Sequence, residues 1–170
     1  MRGFTKLPEG YFEKYSDKPV KLVPFNPKAK DTASIYINRL KAWLSGFDTE
    51  ILHRGSTAFG ITGKGEIEIG IYPKDRDWDK VIAVLRSYLG EVSSLEENHA
   101  RLNDDFEGFE IEIILMKGYD AEVDKKLTGY LINSPETLKG YEALKRKYSY
   151  SKREYMIQKN KFLGKIVEKL

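Results

Sequence analysis

The chain has 170 residues, 41% of them apolar and 12% aromatic, with 29 Lys and Arg set against 26 Asp and Glu. That is enough apolar material for one packed core and too much for a disordered chain. The absence of cysteine, with only His53 and His99 as imidazoles, excludes disulfides, thiolate nucleophiles, cysteine-ligated zinc and all-histidine metal sites, and leaves a carboxylate-bound hard cation open.

The aliphatic runs Val81–Leu85 and Ile113–Met116 fall far short of the roughly 20 residues that span a bilayer. Residues 1–9 carry no apolar signal stretch, so a cytoplasmic protein without membrane association is expected. The charge is uneven. Residues 91–112 hold eight acids and one base, Arg101, whereas residues 139–170 hold ten bases and three acids. A solvated helix surface accounts for such a tail as readily as an anionic partner does.

Residues 1–19 read as an N-terminal arm, and 20–170 as one domain that opens with a short strand at Val20–Val23. Ala33, Ile37, Leu40, Leu44 and Phe47 recur at helical spacing, with Asp31 or Thr32 as the starting cap and Gly46 as the stop. A strand over 49–53 enters Arg54-Gly55-Ser56, and Glu66-Ile67-Glu68-Ile69-Gly70-Ile71-Tyr72 alternates at period two. Trp78, Val81, Ile82, Leu85 and Leu89 make the buried face of a helix capped by Asp77 and ended by Gly90. Residues 91–103 read as a strand pair or remain ambiguous, and Phe109–Met116 alternates again. From about residue 120 the pattern is helical, with Ser134-Pro135 and the Ser151/Glu154 capping box marking two helix starts. The fold class is therefore α+β, a small mixed β-sheet flanked by helices and followed by C-terminal helices.

One stretch carries chemistry. A Gly55-Ser56 turn lets backbone N–H groups approach a phosphate, more so where Thr57-Ala58 opens a helix. Nine residues later Glu66 and Glu68 project from one face of a strand, placed to share divalent cations that bridge phosphate oxygens. Glu110 or Glu112 on the later strand would add a third carboxylate. A half-buried strand with one wet face gives the same alternation. Lys64 is either a phosphate contact or a solvated loop lysine, and Arg101 reaches a phosphate or pairs with neighbouring acids. Tyr141, Tyr148 and Tyr155, at seven-residue spacing among Lys145, Arg146 and Lys147, read as helix core or as a stacking surface for RNA.

The Gly-Ser turn followed by Glu66-Ile67-Glu68-Ile69 resembles the signature of the polymerase-β-like nucleotidyltransferase superfamily. His53–Ala58, Lys64, Tyr130–Glu136, Tyr141–Lys145 and Tyr155–Phe162 together resemble the GrpB-like family within it, over residues 20–170. The resemblance implies nucleotide binding by Gly55, Ser56, Thr57, Lys64 and Arg101, with Mg²⁺ or Mn²⁺ on Glu66, Glu68 and Glu112 as the catalytic acids. It implies transfer of a nucleoside monophosphate from a nucleoside triphosphate to an acceptor hydroxyl or phosphate, with catalysis by positioning and charge neutralisation. The alternative is a non-catalytic nucleotide- or RNA-binding domain on the same fold, with RNA held by the basic C-terminal helices. The sequence departs from the family pattern at Glu68, where an aspartate is usual, and at Glu110 and Glu112, where histidines are frequent.

Overall fold

The structure, a computed structural model, describes residues 7–170, so the first six residues of the arm lie outside the described residues. The first helix, α1 (Lys28–Trp43), starts earlier than Asp31 because the Asn26 side chain accepts from the Lys28 N–H at 3.1 Å. It ends at Leu44, before Gly46. Ala29, Ala33, Tyr36 and Leu40 form its fully buried face. The strand expected at Val20–Val23 is reduced to a single bridge between Val23 and Gly63, since the backbone at Val20 turns to the Ser149 carbonyl instead.

After β1 (Thr49–Arg54) come the one-turn helix α2 (Gly55–Phe59), β2 (Ile67–Pro73), α3 (Trp78–Leu89), the two-residue β3 (Ser94–Leu95), β4 (His99–Phe106) and β5 (Phe109–Met116). The sheet runs β1-β2-β5-β4-β3, and only β2 and β5 are parallel. The period-two pattern sorts its faces. Ile67, Ile69, Ile71, Ile111 and Ile113 point to one side, where α1 and α3 cover them and each is fully buried. Burial of each such side chain contributes about 2 kcal/mol.

The opposite face is split. Its upper half, with Tyr72, Ile114 and Met116, packs on Ala121 of α4 (Gly118–Ile132). Its lower half carries the acids Glu68 and Glu112. α4, α5 (Pro135–Tyr148) and α6 (Lys152–Val167) close on that side around Leu127, Leu131, Leu138, Tyr141 and Leu163. Ser134 makes no side-chain cap, but the Ser151 hydroxyl accepts from the Glu154 N–H as the capping pattern requires. The arm is strapped to the start of α6, where the Lys152 N–H donates to the Lys18 carbonyl and the Arg153 N–H to the Ser16 carbonyl. Among the described residues no helix is long and apolar enough to cross a membrane.

Candidate nucleotide site

The pairing of β2 with β5 decides which acids meet. Glu68 stands directly opposite Glu112, and Glu66 lies two residues earlier, just before β2 begins. Glu110 is opposite Asp105 and exposed, so Glu112 and not Glu110 is the register partner. Arg54, the last residue of β1, pairs with Glu68 from the other side.

The turn after Arg54 is built around that carboxylate. Gly55 has φ +75°, and a Cβ there would overlap Glu68 Oε2. Glycine is thus required both by backbone conformation and by space. Ser56 follows, against Gly63, where a Cβ would fall 2.5 Å from that of Ser56. Thr57 is buried and faces inward: its hydroxyl donates to the Glu66 carbonyl at 3.2 Å. Having spent its proton there, it accepts from His53 Nε2–H at 2.9 Å, which fixes the imidazole tautomer. The turn is therefore tied to the residue that precedes the acidic strand. Burial lowers the His53 pKa to about 4, so the ring is neutral.

Each of the three acids holds a base. Lys64 Nζ lies 2.6 Å from Glu66, Arg54 Nη1 3.4 Å from Glu68, and Arg101 Nη1 2.9 Å from Glu112. Burial opposes the Glu68 charge, but Arg54 and then Lys159 of α6 hold its pKa down at about 2. Arg54 is itself buried, and its Nη2 donates to Asp124 Oδ1 at 2.7 Å. Tyr72 donates to the other Asp124 oxygen at 2.6 Å, its ring lying over Gly70. Burial works against the Arg54 charge, yet Asp124 and Glu68 raise its proton affinity above the ordinary range.

The donor set formed by Glu66, Glu68 and Glu112 is all carboxylate oxygen and suits a hard cation such as Mg²⁺. Among the described residues no three acids or imidazoles stand close enough together to hold one ion as they are oriented. Lys64 and Arg101 occupy the carboxylates instead. A cation would have to displace them.

Several functional candidates escaped the sequence reading. Lys145, placed there on a basic surface, is 2% exposed; its Nζ donates to the Ser56 hydroxyl and lies 4.6 Å from the Tyr141 ring centroid. Burial lowers its pKa to about 7. Arg54, Asp124 and Lys159 were likewise unassigned. Glu66, Glu68, Glu112, Lys64 and Arg101 share the wall of one cleft of about 490 Å³, whose far side is α6 and the arm. Gly55 and Ser56 do not line that cleft; with Arg54 and Asp124 they line a separate cavity of about 40 Å³, and Glu68 and Lys159 line both.

A five-stranded mixed sheet with helices on both faces and a Gly-Ser turn beside paired strand acids has the nucleotidyltransferase fold. The poly(U) polymerase Cid1 in complex with its short product ApU superposes with a TM-score of 0.50 at 14% identity, over 80% of this chain and 42% of that one. The GLD-2/RNP-8 complex gives a TM-score of 0.49 at 15% identity, over 75% and 51%. The chain spans about half or less of the length of these structures. Residues 19–169 match the family model described as GrpB protein, and the chain belongs to that family. No curated protein matches the sequence.

Proposed function

We propose that this GrpB-family protein is a metal-dependent nucleotidyltransferase that moves a nucleoside monophosphate from a nucleoside triphosphate to an acceptor hydroxyl or phosphate. The observation that carries the reading is the register of Glu68 with Glu112 beside the Gly55-Ser56 turn. In this reading Gly55, Ser56 and Thr57 shape the phosphate turn, while Lys145 and Lys64 supply positive charge to it. Glu66, Glu68 and Glu112 would hold Mg²⁺ or Mn²⁺, which neutralises charge developing on the phosphate oxygens. Where the acceptor is a hydroxyl, Glu112 orients it and takes its proton as the oxygen attacks the α-phosphorus and the bond to pyrophosphate breaks. The rate advantage then comes from alignment and from positive groups already in place.

Calorimetric titration of nucleoside triphosphates with Mg²⁺, together with a pyrophosphate-release assay over a panel of nucleotide and RNA acceptors, tests this. Saturable binding that is lost in Glu66→Gln/Glu68→Gln, with pyrophosphate release, is the expected result. Absence of nucleotide binding refutes it.

The pairing of every acid with a base favours a second reading, a nucleotide- or RNA-binding domain without catalysis. It predicts nucleotide binding unchanged by EDTA and no pyrophosphate release with any acceptor. An RNA surface would use Lys147, Lys152 and Arg153; the buried Lys145 is not available to it.

A further inference from the structure

The cleft continues past Glu112 to a second end formed by β3, β4 and the arm, separated from β1 and its Gly-Ser turn by β2 and β5 in the sheet order. His99 lies there. It is 6% exposed and lines the cleft, and among the described residues neither ring nitrogen has a hydrogen-bond partner. Arg101, two residues along the same face of β4, has a buried Nε–H that is also unpartnered, although its Nη1 holds Glu112. Buried polar groups left unmet are costly, so native proteins satisfy nearly all of them. Such groups facing a cleft point to a ligand.

The missing partner is an acceptor of hydrogen bonds. Burial keeps the His99 ring neutral, with a pKa near 4, so it presents one N–H beside the Arg101 Nε–H. Three cations line this part of the cleft, Arg101, Lys14 of the arm and Lys152 of α6, against the acids Glu96 and Glu112. The guanidinium is suited to the oxygens of a phosphate or carboxylate. Lys14 lies outside residues 19–169 matched by the family model, so this end of the cleft is partly built by the arm.

We propose that His99 and Arg101, with Lys14 and Lys152 around them, form an anion subsite that holds a phosphate or carboxylate group of the acceptor. The word acceptor rests on the nucleotidyltransferase reading; the anion site itself does not. It places the acceptor's anionic group on the side of Glu112 away from Gly55 and Ser56, so that its nucleophilic oxygen is presented across Glu112.

The chain has only His53 and His99, so proton NMR of the full-length protein gives two imidazole Cε1–H signals, assigned with His53→Gln. Inorganic phosphate or acetate, titrated at constant ionic strength, should move the His99 signal saturably and leave that of His53 in place. A response to phosphate alone assigns a phosphoryl group, and a response to acetate as well assigns any oxyanion. Arg101→Gln should weaken the response about tenfold or more, and Lys14→Gln, on the exposed arm, severalfold. The unliganded spectrum of each variant reports whether the fold is kept. No saturable shift of His99, a response unchanged in both variants, or displacement of the anion by ATP would each overturn the proposal. Calorimetry with ATP on the same samples separates the two readings. If ATP fails to bind while phosphate still moves His99, the nucleotide reading falls and the anion site stands. If ATP binds and no anion moves His99, the reverse holds.

Discussion

The Cα of Gly55 is packed against the carboxylate of Glu68, with no room between them for a methyl group. Gly55→Ala therefore meets two penalties. One is the left-handed backbone at φ +75°, which costs a residue with a Cβ about 1 kcal/mol. The other is overlap with a side chain that Arg54 holds in place. Urea unfolding should show a loss of about 2–4 kcal/mol, within the range of strained or overpacked substitutions. In a Glu68→Ala background the same change should cost only the backbone component. Equal costs in the two backgrounds would show that the contact does not set the requirement for glycine.

The buried network of Arg54, Asp124 and Tyr72 anchors α4 to the strand that carries the acids. Asp124→Ala leaves the Arg54 guanidinium with Glu68 alone, at 3.4 Å. Removing one partner of a buried ion pair typically costs about 3–5 kcal/mol. Tyr72→Phe should cost about 1–3 kcal/mol, as it takes a hydrogen bond from a charged acceptor. Because both act on one carboxylate, the double variant should lose less than the sum, and a double-mutant cycle in urea measures the difference. Strict additivity would separate the tyrosine from the ion pair.

The acidic strands and the Gly-Ser turn were legible because period-two alternation and a glycine beside a small polar residue are local signals. The choice of Glu112 over Glu110 was not, since it depends on how β2 and β5 align. Lys145 read as solvated because its burial depends on Ser56, Thr62 and Tyr141 together, and Ser56 and Thr62 lie more than eighty residues away in sequence. His99 was hidden at the start of β4 in an ambiguous stretch, where its place opposite Met116 depends on the pairing with β5. Asp124 sits on a helix whose buried face mixes Asp124 and Thr128 with Ala121 and Leu127, which blurs the apolar spacing. Asn26, which starts α1, precedes a proline and so read as loop.

On the nucleotidyltransferase reading, Lys145 makes nucleotide binding proton-linked. With a pKa near 7 it is mostly neutral at pH 8, and a phosphate brought to Ser56 favours its charged form. ATP affinity should fall as pH rises from 7 to 9, by up to about tenfold per unit. Calorimetry at pH 8 in buffers of different ionisation enthalpy should show uptake of up to one proton. Lys145→Met should weaken ATP binding and abolish the uptake. Without ligand the sign for stability is opposite. The folded pKa lies below the ordinary 10.5, so the unfolded chain binds more protons between pH 7 and 10. Lys145 thus adds stability as pH rises through that window, by at most about 1.4 kcal/mol per unit, and Lys145→Met should remove that slope.

The two histidines set the acid limit. Burial holds both His53 and His99 at a pKa near 4, below the ordinary 6.5, so both rings are neutral in the fold. Between pH 6.5 and 4 the unfolded chain binds the extra protons, and stability falls as pH drops through that range. For the deeply buried His99 the loss at pH 5 relative to pH 7.5 is about 2 kcal/mol. Glu68, held near 2 against an ordinary 4.5, contributes a further loss only below about pH 4.5. His99→Gln should therefore flatten the stability profile between pH 7.5 and 5, while Glu68→Gln should flatten it only at lower pH. Urea midpoints of the wild type and both variants, taken at half-unit steps, separate the two windows. A wild-type midpoint that does not move between pH 7.5 and 5 would mean that the rings are charged or exposed in the folded protein.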